Sequence, residues 1–595
     1  MAPDRFDSVA DALRFFGVEE DASAFGSLSR SDPIAALVAC VRSAVRRDGV
    51  DVRTAVARLA AVSAELDPAE SRRAAVLASA ADREAPLEFR EDLVARFLLS
   101  VLLREDAPLP TYARQKLDEL ERASDPVKIN SLRNFLAQVT ETFPDVARRA
   151  ELEGIAQRAE AHLVRVAAPI ASRRGAPRSA LRRCVGIIAH VPASIPIASH
   201  TGLLVAELLG LARAAPELEI HLLVTGESSF SGPLVSRLPQ LAEDRSALLD
   251  RFRREAGPFF ERNLFVPEVP VATEPDSFAA LGGMIRDLSP DVVLCWGGIF
   301  ESRVWRRAAF ESYPLVFLPF NHKNWVGPEA DVVLSLGRDA ARVRSDDPRA
   351  RPFDFPVSLP PRAHVGTFEP FPEGRKGRAV VISAFASGRF ESAFAAYDDA
   401  TVDALVGFLD TRPEVVWLFV GIVDEARIVA RGRGVERLVA EGRIRLLPFQ
   451  VDLRAVYAAG DVYAHLPAFG GGGVGGLMAI DAGLPLVCFH DSDVAHYAGD
   501  EDVFTDLGAF LARIATLCTS VEERKRHAAR QHRLAVERHS PEHSGPQLLQ
   551  HCEEALTLGL RRLGGKARAA SASPQGGRRW PAALRERVRA WFPRR

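Results

Sequence analysis

The residue pattern with the clearest chemical content is Pro467-Ala468-Phe469-Gly470-Gly471-Gly472-Gly473-Val474-Gly475-Gly476. It lies between a strand-like apolar run and a helix-like one. Glycines let backbone N–H groups close on a phosphate, and the N-terminus of a following helix adds partial positive charge suited to a diphosphate. The run is not G-x-x-x-x-G-K-[ST], and it does not sit in a first βα unit as a dinucleotide fingerprint does. A merely flexible loop competes with this reading. The Ala479-Ile480-Asp481-Ala482-Gly483-Leu484-Pro485-Leu486-Val487 that follows favours phosphate binding. His200, in Ile195-Pro196-Ile197-Ala198-Ser199-His200-Thr201-Gly202, has a side chain able to take a proton near neutral pH. Its alternative is a loop histidine bonded to backbone. His322 beside Lys323 comes second, as a cation able to offset diphosphate charge, against simple solvation of Lys323. His190 and His465 fall at strand ends and read as packing. Asp491-Ser492-Asp493 has the D-x-D spacing of a metal site, but a helix cap at Asp493 is the simpler reading. His527, His532, His539 and His543 match no ligand spacing and read as a solvated helix face.

These residues need elements to hold them. From 1 to about 175 the chain reads as helical, with apolar residues at three- and four-residue spacing, as in Ile34 to Val45 and Leu93 to Leu103. Breaks fall at Ser31-Asp32-Pro33, Asp67-Pro68 and Asp125-Pro126, where helix starts are expected. Then the pattern changes to short continuous apolar runs, the mark of parallel strands buried on both faces. The first set is Cys184–Ala189, Glu219–Val224, Asp291–Trp296, Pro314–Leu318 and Asp331–Ser335, with a loop holding His200 before a helix over Leu203 to Arg213. The Pro-rich Arg351 to Pro372 reads as an inter-domain crossing. A second set follows: Ala379–Ser383, Val415–Val420, Ile444–Leu447, Val462–Leu466 and Leu484–Phe489, with helices over Leu453–Ala458, Val474–Ala482 and Val521–Val536. Strands alternating with helices predict two doubly wound α/β units, with a ligand at the carboxyl ends of their strands.

Composition sets outer bounds. The chain has 595 residues, 47% hydrophobic and 26% charged, which suits a soluble protein of three or four units. A net charge of −2 argues against nucleic-acid binding by the whole protein. The stretch 561–595 departs from this, with eleven Lys or Arg against the single acid Glu586. Gly564 to Gly577 suits a disordered linker, and Trp580 to Phe592 fits an interfacial anchor on anionic lipid as well as a solvated tail. The six cysteines are scattered without a C-x-x-C pair, so buried thiols in a reducing compartment are expected. Met1 to Phe16 lacks a basic start followed by an apolar run, and no window approaches ~18 apolar residues. The expected location is cytoplasmic, or peripheral at the inner face of a membrane.

One stretch carries a resemblance. Ala458 to Phe489, AAGDVYAHLPAFGGGGVGGLMAIDAGLPLVCF, is similar to the donor-binding signature of GT-B glycosyltransferases, enzymes with two Rossmann-like domains facing a cleft. Arg443 to Tyr457 resembles the segment whose backbone meets the nucleotide base, which implicates Phe449, Gln450 and Val451. Ala379 to Ala393 resembles the first strand and loop of the donor domain, placing Ser387, Gly388 and Arg389 toward the phosphates. Gly471, Gly472, Gly473 and Val474 are then the diphosphate loop. Leu318 to Ser335 resembles an HxDHxFWLG…AD stretch of bacterial members, matched by His322, Trp325 and Gly327. The Glu-x7-Glu pair of the commonest retaining subgroup is absent, since Gly470 and Met478 hold its places. A helical region ahead of the two domains, and Asp493 to Gly508, resemble adhesin N-glycosyltransferases and O-GlcNAc transferase.

The residue pattern, read with the resemblance, gives four regions. They are an all-helical domain over 1–175, an acceptor domain over 180–350, a nucleotide-sugar domain over 373–560 and a basic tail over 561–595. The resemblance implies a sugar moved from a nucleoside diphosphate sugar, UDP-linked or otherwise, to a protein of adhesin or flagellin type or to a surface polysaccharide. His200 would act on the acceptor, and no metal or separate cofactor is required. Two other readings stay open: a noncatalytic scaffold with a degenerate GT-B half, and a sugar-nucleotide epimerase.

Overall fold

The computed structural model describes residues 108–570 apart from internal stretches, chiefly 137–145, 194–198, 227–237, 257–261, 270–274, 321–328, 337–346, 357–370 and 468–472, with shorter gaps that include 386–388, 449 and 451–452. Residues 1–107 and 571–595, and so most of the expected helical domain and the basic tail, lie outside the described residues. What is described there is helical: α1 (Pro108–Ala123) and α2 (Val146–Ala171). Between them a turn at Ser124 leads to a new helical turn at Pro126, whose Lys128 N–H is capped by the Asp125 carboxylate at 3.1 Å.

The first sheet has strands β1 (Arg183–Ile188), β2 (Glu219–Val224), β3 (Leu264–Phe265), β4 (Val292–Trp296), β5 (Leu315–Leu318), β6 (Val332–Leu336) and β7 (Ala350–Phe353). They are parallel, in the order β3-β2-β1-β4-β5-β6-β7. Strand β4 is buried at every position, as its unbroken apolar run requires. One face carries α3 (Ser199–Ala214); the other carries α4 (Pro275–Leu288), α5 (Arg303–Phe310) and α2. Packing reaches contact through Gly282 of α4, where a Cβ would meet Trp305 at 3.3 Å and overlap Ile170. Sequence order read Arg351 onward as a crossing, but Arg351–Phe353 belongs to the sheet. Pro352 is tolerated there because β7 is an edge strand, where a missing N–H costs no ladder bond.

The second sheet runs β10-β9-β8-β11-β12-β13, again parallel. Its strands are β8 (Ala379–Ala384), β9 (Val415–Val420), β10 (Ile444–Leu447), β11 (Val462–His465), β12 (Leu486–Phe489) and β13 (Val503–Phe504). Among its helices are α6 (Arg389–Ala395), α7 (Gly473–Asp481) and α8 (Val521–Arg538). Both sheets reverse their winding beside their first strand, between β1 and β4 and between β8 and β11. Two doubly wound parallel sheets in one chain are the GT-B plan expected above.

A sequence repeat explains how the strands begin. Asp291, Asp331 and Asp461 each precede a Val that opens β4, β6 or β11. Asp291 Oδ2 accepts the N–H groups of Arg182 and Arg183 at 2.9 Å each. Asp331 Oδ2 takes that of Leu315 at 2.9 Å, and Asp461 Oδ2 that of Val380 at 2.8 Å. Each carboxylate pairs an N–H at the start of the neighbouring strand that would otherwise be buried without a partner. The device stands at the amino ends, away from the carboxyl ends where ligands bind.

The last described helix, α9 (Pro541–Ala570), returns to the first sheet. Leu548, Cys552, Ala555 and Leu556 join the core beneath α3, so residues 541–560, second-half residues by sequence order, pack on the first half. Backbones touch where Gly545 meets Gly210: a Cβ on Gly210 would stand 2.6 Å from the Pro541 carbonyl. Arg562 reaches Asp331 with two hydrogen bonds of 2.9 and 2.8 Å and donates to the carbonyls of Phe310 and Tyr313.

Candidate functional site

The carboxyl ends of β8, β9, β10 and β11 define one edge of the second sheet. Beyond β8, Phe385 leads to α6, which opens at Arg389. Beyond β9, Gly421 takes a φ of 98°, and a Cβ there would strike the Phe385 carbonyl. The neighbouring loops are therefore in backbone contact at a position that glycine alone fits without strain. Buried Glu391 of α6 fastens them further: its Oε1 accepts from Asp424 N at 3.0 Å and from Val423 N. Beyond β10, Gln450 is half-buried and its Nε2 donates to the Pro448 carbonyl at 3.1 Å. Beyond β11, the described chain pauses at Pro467 and resumes at Gly473, the first residue of α7.

Gly473 and Val474 thus open a helix at the carboxyl end of β11, the placement that directs helix N–H groups at an anion. Gly476 has a different task. A Cβ there would lie 2.6 Å from Val494 Cγ1 and 2.8 Å from Leu486 Cδ1, so its missing side chain seats α7 on β12. Ser387, Phe449, Val451, Gly471 and Gly472 lie outside the described residues, as does the side chain of Arg389.

On the first sheet, His200 is the second residue of α3, which begins four residues before the Leu203 start expected from sequence, so it stands in a helical turn and not a loop. It is half-buried and meets Phe320 edge to face, ring centroids 5.1 Å apart. Phe320 follows β5, so the pair spans the carboxyl ends on the β4 side of the switch point. Its neighbour His322 lies outside the described residues. Two turns along α3 from His200, Glu207 is 1% exposed and takes a 2.5 Å hydrogen bond from the Trp296 indole at the end of β4. Burial pushes its carboxyl up to about 8, the indole hydrogen bond acting in the opposite direction.

The remaining histidines behave variously. His190 is buried with Nε2 3.4 Å from Asp244, and His465 is buried with Nδ1 3.5 Å from the Tyr463 hydroxyl. His527 and His539, read above as solvated, are buried. His527 Nδ1 lies 2.9 Å from Asp502 and 3.1 Å from Glu501, a set whose ligand atoms fall within 4.8 Å. Arg513 and Arg530 also donate to Asp502, at 2.9 and 3.1 Å, which makes the set an ion-pair network around one fully buried carboxylate. The short helix Ala495–Ala498 has Val494, not Asp493, at its N-cap. Among the described residues no helix is long and apolar enough to cross a membrane.

No protein-family model matches the chain, and no curated protein matches it in sequence. Solved structures of similar chain path exist at low identity. A mutant O-GlcNAc transferase of Thermobaculum terrenum aligns with a TM-score of 0.46 and 15% identity, over 86% of this chain and 100% of that one. HepE of Anabaena, solved with UDP, gives 0.41 and 13%, over 62% and 99%. A glycosyltransferase from Rickettsia africae ESF-5 gives 0.40 and 12%, over 63% and 99%. At these identities the likeness is one of fold.

Proposed function

We propose that the chain is a glycosyltransferase that takes a nucleoside diphosphate sugar at the second sheet and an acceptor at the first. The observation that carries this is that Gly473 and Val474, at the end of the glycine run in sequence, open α7 beyond the carboxyl end of β11, beside the β8–β11 switch point. The N–H groups of Gly471 to Val474 bind the diphosphate, with Ser387 and Arg389 beside it and Phe449, Gln450 and Val451 at the base. An acceptor oxygen or nitrogen attacks the anomeric carbon, the sugar–phosphate bond breaks, and the nucleoside diphosphate leaves. His200 takes the acceptor's proton. His322, with Lys323, offsets charge on the departing diphosphate. Neither a metal nor a separate cofactor enters this scheme. The acceptor is a protein or a surface glycan, met in the cytoplasm or at its membrane face, where the basic tail supplies the anchor.

The test is nucleoside diphosphate release from a panel of UDP-, GDP- and other nucleotide sugars, with cell-extract acceptors present. Wild type is expected to release it from one donor, and His200→Ala and Gly472→Asp to lose that release. Binding of a donor without turnover by wild type would replace the transferase with a noncatalytic scaffold. Neither binding nor turnover would refute the donor site.

A further inference from the structure

The first sheet also has a helix that opens beside its switch point. α3 begins at Ser199, past the carboxyl end of β1, where that sheet reverses its winding. The first four N–H groups of a helix have no partner within it, and together they carry partial positive charge. α3 has 16 residues, enough to develop that charge in full. Its first turn, Ser199-His200-Thr201-Gly202, contains no acid. Ala198, which precedes it in sequence, has no side-chain oxygen to cap it.

A second observation at the same place points to a ligand. Thr201 is 1% exposed, and its Oγ1 has no hydrogen-bond partner among the described residues. Side chains on a helix lean toward its N-terminus, which aims this hydroxyl at the first turn. A buried hydroxyl without a partner costs free energy that valine, of nearly the same shape, would not. That cost is offset only when something arrives for the hydroxyl to pair with. Thr225 and Ser302, buried at the same end of the sheet, are different, since their hydroxyls pair with each other at 3.1 Å. His200, half-buried in the same turn, meets Phe320 edge to face and so has its ring held beside Thr201.

We propose that the N-terminus of α3 holds an oxyanion of the acceptor, a phosphate or carboxylate group, through its first-turn N–H groups and the Thr201 hydroxyl. Thr201 Oγ1 donates its hydrogen to the anion, and the helix end supplies the opposing charge. This rests on the function proposed above, in which the second sheet takes the diphosphate of the donor, and it adds the charge of the acceptor. The anionic group stands beside His200, so it fixes the acceptor next to the imidazole that takes its proton.

The experiment titrates inorganic phosphate into the full chain saturated with UDP, or with GDP if the donor panel selects guanosine, and follows phosphate by phosphorus NMR line width. Wild type is compared with Thr201→Val, Thr201→Ser and Ser199→Asp. Wild type is expected to bind phosphate with the nucleotide in place. Thr201→Val should weaken that binding roughly three- to tenfold, and Thr201→Ser should keep it. Ser199→Asp, which sets a carboxylate in the first turn, should abolish it. Nucleotide affinity should be equal across the series, and the melting temperature of Thr201→Val should not fall, since no hydrogen bond is lost. Absence of phosphate binding by wild type, or binding indifferent to Thr201→Val, overturns the proposal. So does phosphate that UDP displaces from wild type, which would give the N-terminus of α3 to the donor. If Thr201→Val does not fold, Ser199→Asp decides between the same outcomes. If no nucleotide binds, the donor site itself fails, while phosphate alone still reads α3 in wild type and variants.

Discussion

Glu207→Gln isolates a buried proton. The carboxyl of Glu207 is 1% exposed; its Oε2 accepts from Trp296, and its Oε1 has no hydrogen-bond partner among the described residues. Its ordinary value is 4.5, and burial in the folded chain raises it to about 8. Below pH 4.5 both the folded and unfolded chains hold the proton, and its stabilising contribution is fully present. As pH rises from there toward 8, only the unfolded chain releases the proton, so stability falls by about 1.4 kcal/mol per pH unit and then levels off. From pH 6 to pH 9 the loss from this group is about 2–3 kcal/mol. Glutamine keeps the shape, accepts the same indole N–H and does not titrate. Urea unfolding of both proteins at pH 6, 7, 8 and 9, followed by tryptophan fluorescence and circular dichroism, gives the difference free of other titrating groups. The variant should gain about 2–3 kcal/mol on wild type across that range. Parallel pH curves would refute the reasoning, because they would mean that the carboxyl is solvated or ionised in the folded state.

Two further outcomes follow from packing. Gly476→Ala inserts a Cβ 2.6 Å from Val494 and should cost about 1–3 kcal/mol. Gly475→Ala, with 3.6 Å of clearance, should leave the melting temperature close to wild type, and thermal unfolding of the pair checks the contrast. Arg562→Met removes both hydrogen bonds to buried Asp331 and should cost about 1.5–3 kcal/mol or more. Hydrogen exchange of α9 beyond Leu556 should then rise to the rate of a frayed helix end.

The strands were the most legible part of the sequence. Glu219–Val224, Val415–Val420 and Ile444–Leu447 have the bounds their apolar runs predict; Val415–Val420 is buried at every position, which admits little but apolar residues. Helix starts were less so: α3 begins at Ser199, ahead of its apolar stretch, and that moves His200 from a loop into a helical turn. Three of the four edge strands were missed. β3 and β13 have two residues each, too short for any periodicity, and β7 contains Pro352. For the site, the glycine run identified the end of β11, but nothing local marks Tyr397, whose hydroxyl donates to the Pro467 carbonyl 70 residues away. Glu207 likewise looks like an ordinary helix glutamate until β4 brings Trp296 to it. Contacts made across the sheet leave no spacing in the sequence. His527 of α8 misled for the same reason, since it is covered by Asp502 and Arg513 from other elements.

The return of α9 also bears on how the chain is made. The core beneath α3 is closed by Leu548, Cys552, Ala555 and Leu556. A ribosome releases the first sheet long before those residues, so the part of its apolar face that α3 leaves to α9 waits while the whole second sheet is synthesised. At roughly 5–20 residues per second, the interval from Phe353 to Leu556 lasts on the order of 10–40 seconds. The nascent first half is thus open to chaperones throughout that time, and it becomes native only together with the end of the chain. Cutting before Pro541 would remove the four side chains that complete this core, so the first sheet borrows part of its cover from beyond the second.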